Sequence, residues 1–444
     1  MTDSMSRNRP YKTQTPYSTI QKIRGILEKL DIFVVEQHHI HSKSGTCSCR
    51  IFMGDDELIR ENFGTNGKGM NARFSLASAY GEFMERLENS MMIPVVYSET
   101  AYRHGELSYA CAPDERLMTV SEIIDESGRF LPNIMGLSYE ETCDIIKAMF
   151  QDTKTPCIPF TEVLSGKQVY IPYRIVTKVN GSNGMCAGNC REEALVQGLS
   201  EVMERYSLRL LYENPTAPPL LNPKLFDGTR IFQKLESLKT NGIEYQILDM
   251  SMGKSLPVVG LRVIIEGTNV MAMHIGADPN PETALERCLT ELFQGMASGI
   301  QDRFTNMDCG MPEDYNNLDE YLDNYYKKIG NGSGLYPSPV MQRGTVLSEK
   351  FNYSKGATEA EDYKYLLDLM TGFSDYVFIR EASYLGFPAY WTIVPSISGI
   401  LTEGRKNAMY NWHDAYEIEL KNAYESKIYK PLLRIFNNIE KASI

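Results

Sequence analysis

Several common sources of function are missing from this 444-residue sequence. It holds two tryptophans and six histidines, three of them in His38-His-Ile-His41, and no Ser-His-Asp or Cys-His arrangement for nucleophilic catalysis. It has no basic surplus: 45 Lys and Arg against 57 Asp and Glu leave a net charge of −12, which argues against a nucleic-acid partner. No apolar run approaches a membrane span, and the opening MTDSMSRNRPYKTQTP has no apolar signal core. Nine irregularly spaced cysteines offer no disulfide framework, so free thiols in a reducing cytoplasm are expected. A Walker A loop is missing too. Gly64-Thr-Asn-Gly-Lys-Gly69 contains Gly-Lys, but neither Ser nor Thr follows the lysine and the glycine spacing differs.

What is present is one theme stated three times. Ser78-Ala-Tyr-Gly-Glu82-Phe-Met-Glu85-Arg86 and Glu193-Ala-Leu-Val-Gln197-Gly-Leu-Ser-Glu201-Val-Met-Glu204-Arg205 both end in Glu-Xaa-Xaa-Glu-Arg. Arg287-Cys-Leu-Thr-Glu291-Leu-Phe-Gln294 carries a related stripe. At about 100° per residue, Glu193, Gln197, Glu201 and Glu204 fall within roughly 80° of one another on a helix. Glu82 and Glu85 share a face, as do Arg287, Glu291 and Gln294. A solvated acidic face is the ordinary reading of such charge. Three features count against it: interleaved Ala, Gly and Ser suit close helix packing, the same ending recurs far apart, and a glycine-rich segment precedes each of the first two stretches. Like charges at this spacing destabilise a helix unless something neutralises them, and hard cations with phosphate oxygens would. A glycine loop bearing Lys68 just before a helix also makes an anion cradle, although a surface turn with an exposed lysine is the plainer interpretation.

Along the chain, residues 1–15 read as a disordered tail and 16–440 as one catalytic domain. A helix is expected from Thr19 to Leu30, strands at Ile32–His41 and Thr46–Met53 around Ser42-Lys-Ser-Gly45, then the glycine loop and a helix over Ala72–Met91. Leu117–Ile124 and Tyr139–Met149 read as short helices, and Gln168–Val179 as a strand pair interrupted at Pro172. Gly181–Gly188 opens the second Glu helix, which runs to about Tyr212. Strands at Glu244–Met250, Leu256–Glu266 and Asn269–Gly276 suggest an antiparallel meander before a helix over Pro279–Gly299. Residues 309–360 read as a peripheral insertion, Val377–Arg380 and Ala389–Val394 as closing strands, and His413–Asn438 as a terminal helix. The two loop-then-helix units suggest an internal duplication.

Taken in order, Gly-Lys-Gly, Ser-x3-Glu-x2-Glu-Arg, Ser-Asn-Gly-x-x-Ala-Gly, Glu-Ala-x6-Glu-x2-Glu-Arg and Ala-Leu-x-Arg-x3-Glu-x2-Gln resemble the YcaO family, over about Thr19–Pro395. The resemblance implies a mixed α/β (α+β) fold, with antiparallel and mixed sheets and long Glu-bearing helices forming a non-Walker ATP site. It implies ATP and Mg2+, with Glu82, Glu85, Glu193, Glu201 and Glu204 as metal ligands. Lys68, Ser78, Arg86, Asn183, Gln197, Arg205 and Arg287 would meet the nucleotide, and Arg287, Glu291 and Gln294 would serve catalysis. Arg86 and Arg205 are equally open to a structural role beside glutamates of a neighbouring helix.

The family's enzymes phosphorylate a peptide backbone amide oxygen, after which a nucleophile attacks and phosphate leaves. Azoline-forming members often end in a Pro-x-Pro-x-Pro tail. This sequence has no proline after Pro431, which points toward an external nucleophile such as sulfide and a thioamide product. A peptide or protein substrate, a partner protein presenting it and a homodimer are expected on the same resemblance. The alternative is a non-catalytic ATP-binding factor that assists modification of another protein, as in ribosomal protein methylthiolation.

One further expectation comes from the hairpin alone. A turn centred on Ser44 would set His41 opposite Cys47 and His39 opposite Cys49 on one sheet face, a zinc-like donor set against the plainer reading of ordinary hairpin residues.

Overall fold

The computed structural model describes residues 12–268, 270–294, 317–342, 347–348, 350–400 and 407–443. Helix α1 (Pro16–Lys29) leads into strands β1 (Val34–Ile40), β2 (Cys47–Met53) and β3 (Gly64–Gly69), then α2 (Ala72–Glu88). The next stretch holds α3 (Val95–Arg103), β4 (Arg116–Met118), α4 (Val120–Ser127), α5 (Leu131–Met135), α6 (Tyr139–Phe150), β5 (Thr155–Glu162), β6 (Gln168–Pro172) and α7 (Tyr173–Asn180). A short β7 (Met185–Ala187) precedes the long α8 (Arg191–Glu213). After β8 (Leu220–Leu221) and α9 (Arg230–Lys239) come β9 (Ile243–Asp249), β10 (Val258–Ile265), β11 (Met271–Ala277) and α10 (Pro281–Leu292). Strands β12 (Leu347–Ser348), β13 (Phe378–Glu381) and β14 (Ala389–Ile393) follow, and helices Trp412–Glu425 and Tyr429–Ser443 close the chain.

Among the described residues the strands make three sheets. β1-β2-β3 is antiparallel throughout. The second sheet runs β11-β10-β9-β8-β12, antiparallel except for the parallel β8–β12 pair. The third runs β4-β5-β13-β14-β7, with β6 beside β5. This is the mixed α/β architecture with antiparallel and mixed sheets that the resemblance implies.

The first glycine-rich segment is a strand beneath a helix, and the second is a turn leading into a strand. Gly64–Gly69 is β3, and a Cβ on Gly67 would lie 1.9 Å from Ser75 O and 2.6 Å from Ala79 N of α2. The glycines let α2 sit directly on the strand, and Asn71 then caps the helix by accepting from Arg73 N and Phe74 N. Part of Gly181–Gly188 is β7, and a Cβ on Gly184, just before it, would lie 2.1 Å from Thr392 O of β14. The expected phosphate loop at Lys68 is therefore a packed strand. Its lysine points away from α2, on the opposite face from Thr65 and Gly67.

Other expectations need correction. Leu117 belongs to β4, and the helix begins at Val120 behind a Thr119–Glu122 capping box. The second half of Gln168–Val179 is helix α7, with Ile175, Val176 and Val179 on one buried stripe. Within 309–360, the described Tyr325, Ile329, Tyr336, Val340 and Met341 are buried in the same core as Leu199, Met203 and Leu211 of α8, so these residues complete a core rather than decorate it. The terminal helix is two helices, broken at Ser426. Lys12 and Thr13, expected in the tail, lie against Glu193 of α8, and Thr15 caps α1 by accepting from Ser18 N, while residues 1–11, 295–316 and 343–346 fall outside the described residues.

The hairpin register differs by one residue from the expected one. Ile40 faces Cys47, His38 faces Cys49 and His39 faces Ser48. Because side chains alternate, that single step puts His39 and His41 on the face of Ser48, whose Oγ lies 3.5 Å from His41 Nε2, and Cys47 and Cys49 on the other. Cys49 Sγ instead contacts Ser75 O of α2. The four-residue zinc set does not assemble, and no group of three or more His, Cys, Asp and Glu placed to hold a metal ion occurs among the described residues.

Candidate active site

Helices α2, α8 and α10 bring their polar stripes together. Each is held by an apolar back: Ala79, Phe83 and Met84 for α2, Leu195, Leu199, Val202 and Met203 for α8, and Leu285, Cys288 and Leu289 for α10 are all buried. Burial of such side chains is worth roughly 1.5–3 kcal/mol each for the larger ones, which sets the helices' rotation and so aims the opposite stripes.

Glu82, Glu85, Glu201, Glu204 and Glu291 converge with Lys68, Arg86 and Arg205, each glutamate lying within the electrostatic field of several of the others. Lys68 Nζ hydrogen-bonds Glu291 Oε1. Arg86 pairs with its own helix, at 3.4 Å from Glu85 and 3.7 Å from Glu82. Arg205 lies 3.7 Å from Glu201, again within one helix.

Carboxylates outnumber cations, and the ionisations show it. Burial, then the Glu291 charge, pushes Glu204 up to about 7. Burial likewise raises Glu85 well above the usual carboxylate range, with Arg86 opposing and Glu201 adding to the rise, and raises Glu82. Burial also works to raise Glu291, yet the Lys68 ammonium, His274 and Arg205 hold it down to about 2. A group of facing carboxylates that would rather be protonated is a site short of positive charge.

His274 is a member of the site that sequence reasoning missed. From β11 its Nε2 lies 3.2 Å from Glu291 Oε2, and its Nδ1 lies 2.7 Å from Ile275 O. Burial pushes the imidazole down to about 4, so at neutral pH it carries one proton. With that proton donated to Ile275 O, Nε2 turns a lone pair toward a carboxylate, an arrangement that favours a cation between them. An isolated histidine in a strand pattern carries no local signal of this contact.

Glu193 lies in the first turn of α8. It accepts from Thr13 N (2.9 Å) and Thr13 Oγ1 (2.7 Å), from Asn189 N and Nδ2, and pairs with Lys12 at 3.5 Å. Thr19 Oγ1 reaches Asn189 Oδ1 at 2.7 Å. Lys12, Thr13 and Thr19 thus belong to the surroundings of this helix end, the first two from a segment whose polarity reads as a tail and Thr19 from α1. Asn183 is buried with Nδ2 on Ser398 O, while its Oδ1 has no hydrogen-bond partner among the described residues. Ser78 lies one turn before Glu82 and Gln197 one turn before Glu201, both half-buried. Arg287 reaches Asp278 at 3.8 Å and its charge is felt at Lys68. Gln294 follows α10, with its backbone N–H on Glu291 O.

A family model described as YcaO cyclodehydratase, ATP- and Mg2+-binding, matches residues 66–398. The chain belongs to the YcaO family. It is 30% identical over 347 residues to the ribosomal protein S12 methylthiotransferase accessory factor YcaO of Escherichia coli, covering 76% of this chain and 57% of that protein. It is 27% identical over 387 residues to an uncharacterized protein of Haemophilus influenzae, covering 83% and 64%. The chain therefore spans less than two thirds of the length of either relative. Among solved structures, a heterocyclase in complex with substrate and cofactor aligns with a TM-score of 0.57 and 16% identity, over 88% of this chain and 53% of that one. YcaO from Methanopyrus kandleri bound with AMPPCP and Mg2+ aligns with a TM-score of 0.53 and 16% identity, over 89% and 95%. These likenesses establish a YcaO fold. The donor set fits the family's ligands in chemistry, though not as a preformed metal cage: hard carboxylate oxygens short of positive charge suit Mg2+, and Lys68, Arg86, Arg205 and Arg287 suit phosphate.

Proposed function

We propose that this protein activates a peptide backbone amide with ATP, preparing it for attack by sulfide or by a Cys, Ser or Thr side chain. The convergence of Glu82, Glu85, Glu201 and Glu204 with Lys68 and Glu291 carries this reading. The four glutamates hold Mg2+, which supplies charge neutralisation to the phosphates when bound. Lys68, Arg86, Arg205 and Arg287 hold phosphate oxygens, and Ser78, Asn183 and Gln197 position the nucleotide. Glu193 would add a further carboxylate for Mg2+ if freed from Lys12, Thr13 and Asn189, which hold it here.

An amide oxygen is a poor leaving group, and phosphorylation makes it a good one. The amide oxygen attacks the γ-phosphoryl group and ADP departs. The nucleophile then adds to the imidate carbon, and phosphate leaves with the former amide oxygen. Transfer of this kind depends mainly on positioning and on cations around the moving phosphoryl group. Arg287 supplies such a cation, Glu291 orients Lys68 through their ion pair, and Gln294 orders the end of α10 beside them. A partner protein presents the substrate or the nucleophile.

The test begins with calorimetry of ATP, with and without Mg2+, on the wild type and Glu201→Gln. Mg2+-dependent binding that the substitution abolishes is expected, and equal binding by both would remove the glutamate stripe from the site. Product mass then separates the chemistries: about +16 for a thioamide and about −18 for an azoline, by atomic arithmetic on the phosphorylated intermediate. The likeness to the S12 methylthiotransferase accessory factor favours a second reading, an ATP-binding assistant to another enzyme. ATP turnover that an added peptide leaves unchanged would support that reading.

A further inference from the structure

A groove of about 510 Å3 lies on the outer face of the three-stranded sheet, away from α1 and α2. The strand register sets its floor in ranks. Gln37, Arg50 and Asn66 stand side by side across β1, β2 and β3, and the next rank is His39, Ser48 and Lys68. All but Lys68 line the groove, and Lys68 is the residue that reaches Glu291. The groove therefore opens along the same sheet face that ends in the carboxylate site. Arg50 strengthens the link, because the charge of Glu82 acts on its guanidinium.

The chemistry of the lining selects an occupant. Gln37, Asn62 and Asn66 each offer a donor and an acceptor, the same pairing that a peptide unit presents. Arg50 donates to Asn62 O at 2.7 Å and Asn62 Oδ1 at 3.1 Å, which holds the loop after β2 as one wall. Phe52 and Ile59 add an apolar surface toward the far end. Among the described residues no carboxylate lines the groove, although the chain carries a net charge of −12. One arginine is too little positive charge for a nucleic-acid strand. The centre of the floor offers a phosphate no free backbone N–H groups, because strand β2 spends its ladder on β1 and β3.

We propose that this groove seats the peptide substrate, extended over the outer face of β1-β2-β3, with the amide to be activated at the Lys68 end. The inference rests on the amide-activation reading above and adds where that substrate is held. Carboxamides that recognise backbone with little regard for side chains would let one site accept a run of different residues.

Photocrosslinking tests it. The photoreactive residue p-benzoylphenylalanine is introduced at Gln37 on the groove floor or, as a control, at exposed Glu28 on α1. Each protein, checked for a native melt, is irradiated with a pool of acetylated, amidated octapeptides of random sequence. Peptide adducts at position 37 at least about tenfold above those at position 28 are expected, as is a loss of about tenfold with Asn66→Leu, about 1.4 kcal/mol of binding. Equal adducts at the two positions overturn the proposal. So does protection of position 37 by MgATP alone, which would make the groove a nucleotide pocket. MgATP binding, measured separately by calorimetry, keeps the two readings distinct. Bound MgATP without peptide at position 37 removes the groove only. Peptide at position 37 without MgATP binding removes the activation reading and leaves the groove as a peptide site.

Discussion

Lys68 and Glu291, 223 residues apart in the sequence, share a hydrogen-bonded ion pair that ties the edge of the N-terminal sheet to helix α10. Glu291 is held below the usual range, while Glu82, Glu85 and Glu204 are pushed above it. Lys68 is thus paired with one carboxylate and surrounded by others that lack a full complement of positive charge.

Lys68→Met should weaken MgATP binding by about tenfold or more, since a charge-assisted contact to phosphate and the restraint on Glu291 disappear together. Calorimetry on a variant with an unchanged melting temperature is the check. Unaltered affinity would separate Lys68 from the nucleotide.

Mg2+-dependent nucleotide binding should strengthen as pH rises through about 7. Burial and the Glu291 charge hold Glu204 protonated below that value, and a protonated carboxyl is a poor ligand for a hard cation. Titration of the cluster belongs to its members jointly, so the midpoint is a property of the group. In Glu204→Gln the dependence between about pH 6 and 8 should flatten; a wild-type affinity independent of pH in that range would contradict the assignment.

Gly67→Ala should cost about 1–3 kcal/mol or more, because its Cβ would meet the backbone of α2 rather than a movable side chain. The same shift displaces Lys68 from α10. A thermal melt together with MgATP affinity should show both losses, whereas Gly81→Ala, whose Cβ meets nothing within 4 Å, should change neither through crowding.

Glu88, in the last turn of α2, is buried with Oε1 accepting from Leu385 N at 2.8 Å and Oε2 unpaired among the described residues. Burial pushes it up to about 9, against the backbone N–H groups of Leu385 and Phe387. Its folded pKa exceeds the unfolded one, so the folded state holds the extra proton. That contribution to stability is complete below about pH 4.5 and is lost as pH rises toward 9. Glu88→Gln should remove this slope and gain on the order of 3 kcal/mol at neutral pH, since a tenfold change in proton affinity is worth about 1.4 kcal/mol. Parallel urea-unfolding curves at several pH values would decide it.

The helices carrying the site were legible from residues alone because helical periodicity is local. Ala72–Glu88, Arg191–Glu213 and Pro281–Leu292 lie close to where the spacing of Glu, Ala and Leu puts them. The meander β9-β10-β11 and the strands at Phe378 and Ala389 were legible for a similar reason. The glycine segments were readable as special positions, yet their meaning was not. A glycine needed for phosphate and one needed for a helix on a strand look alike until Ser75 O is seen 1.9 Å from where a Cβ on Gly67 would stand.

The sequence by itself determined which side chains share each helical stripe and that the stripes carry too many carboxylates to face one another without cations. Tertiary structure alone decided that His274 meets Glu291, that Lys12 and Thr13 hold Glu193, and that the hairpin histidines and cysteines part to opposite faces. Spacing along a helix follows from one repeating bond geometry, whereas strand register and contacts between distant segments follow from the packing of the whole chain.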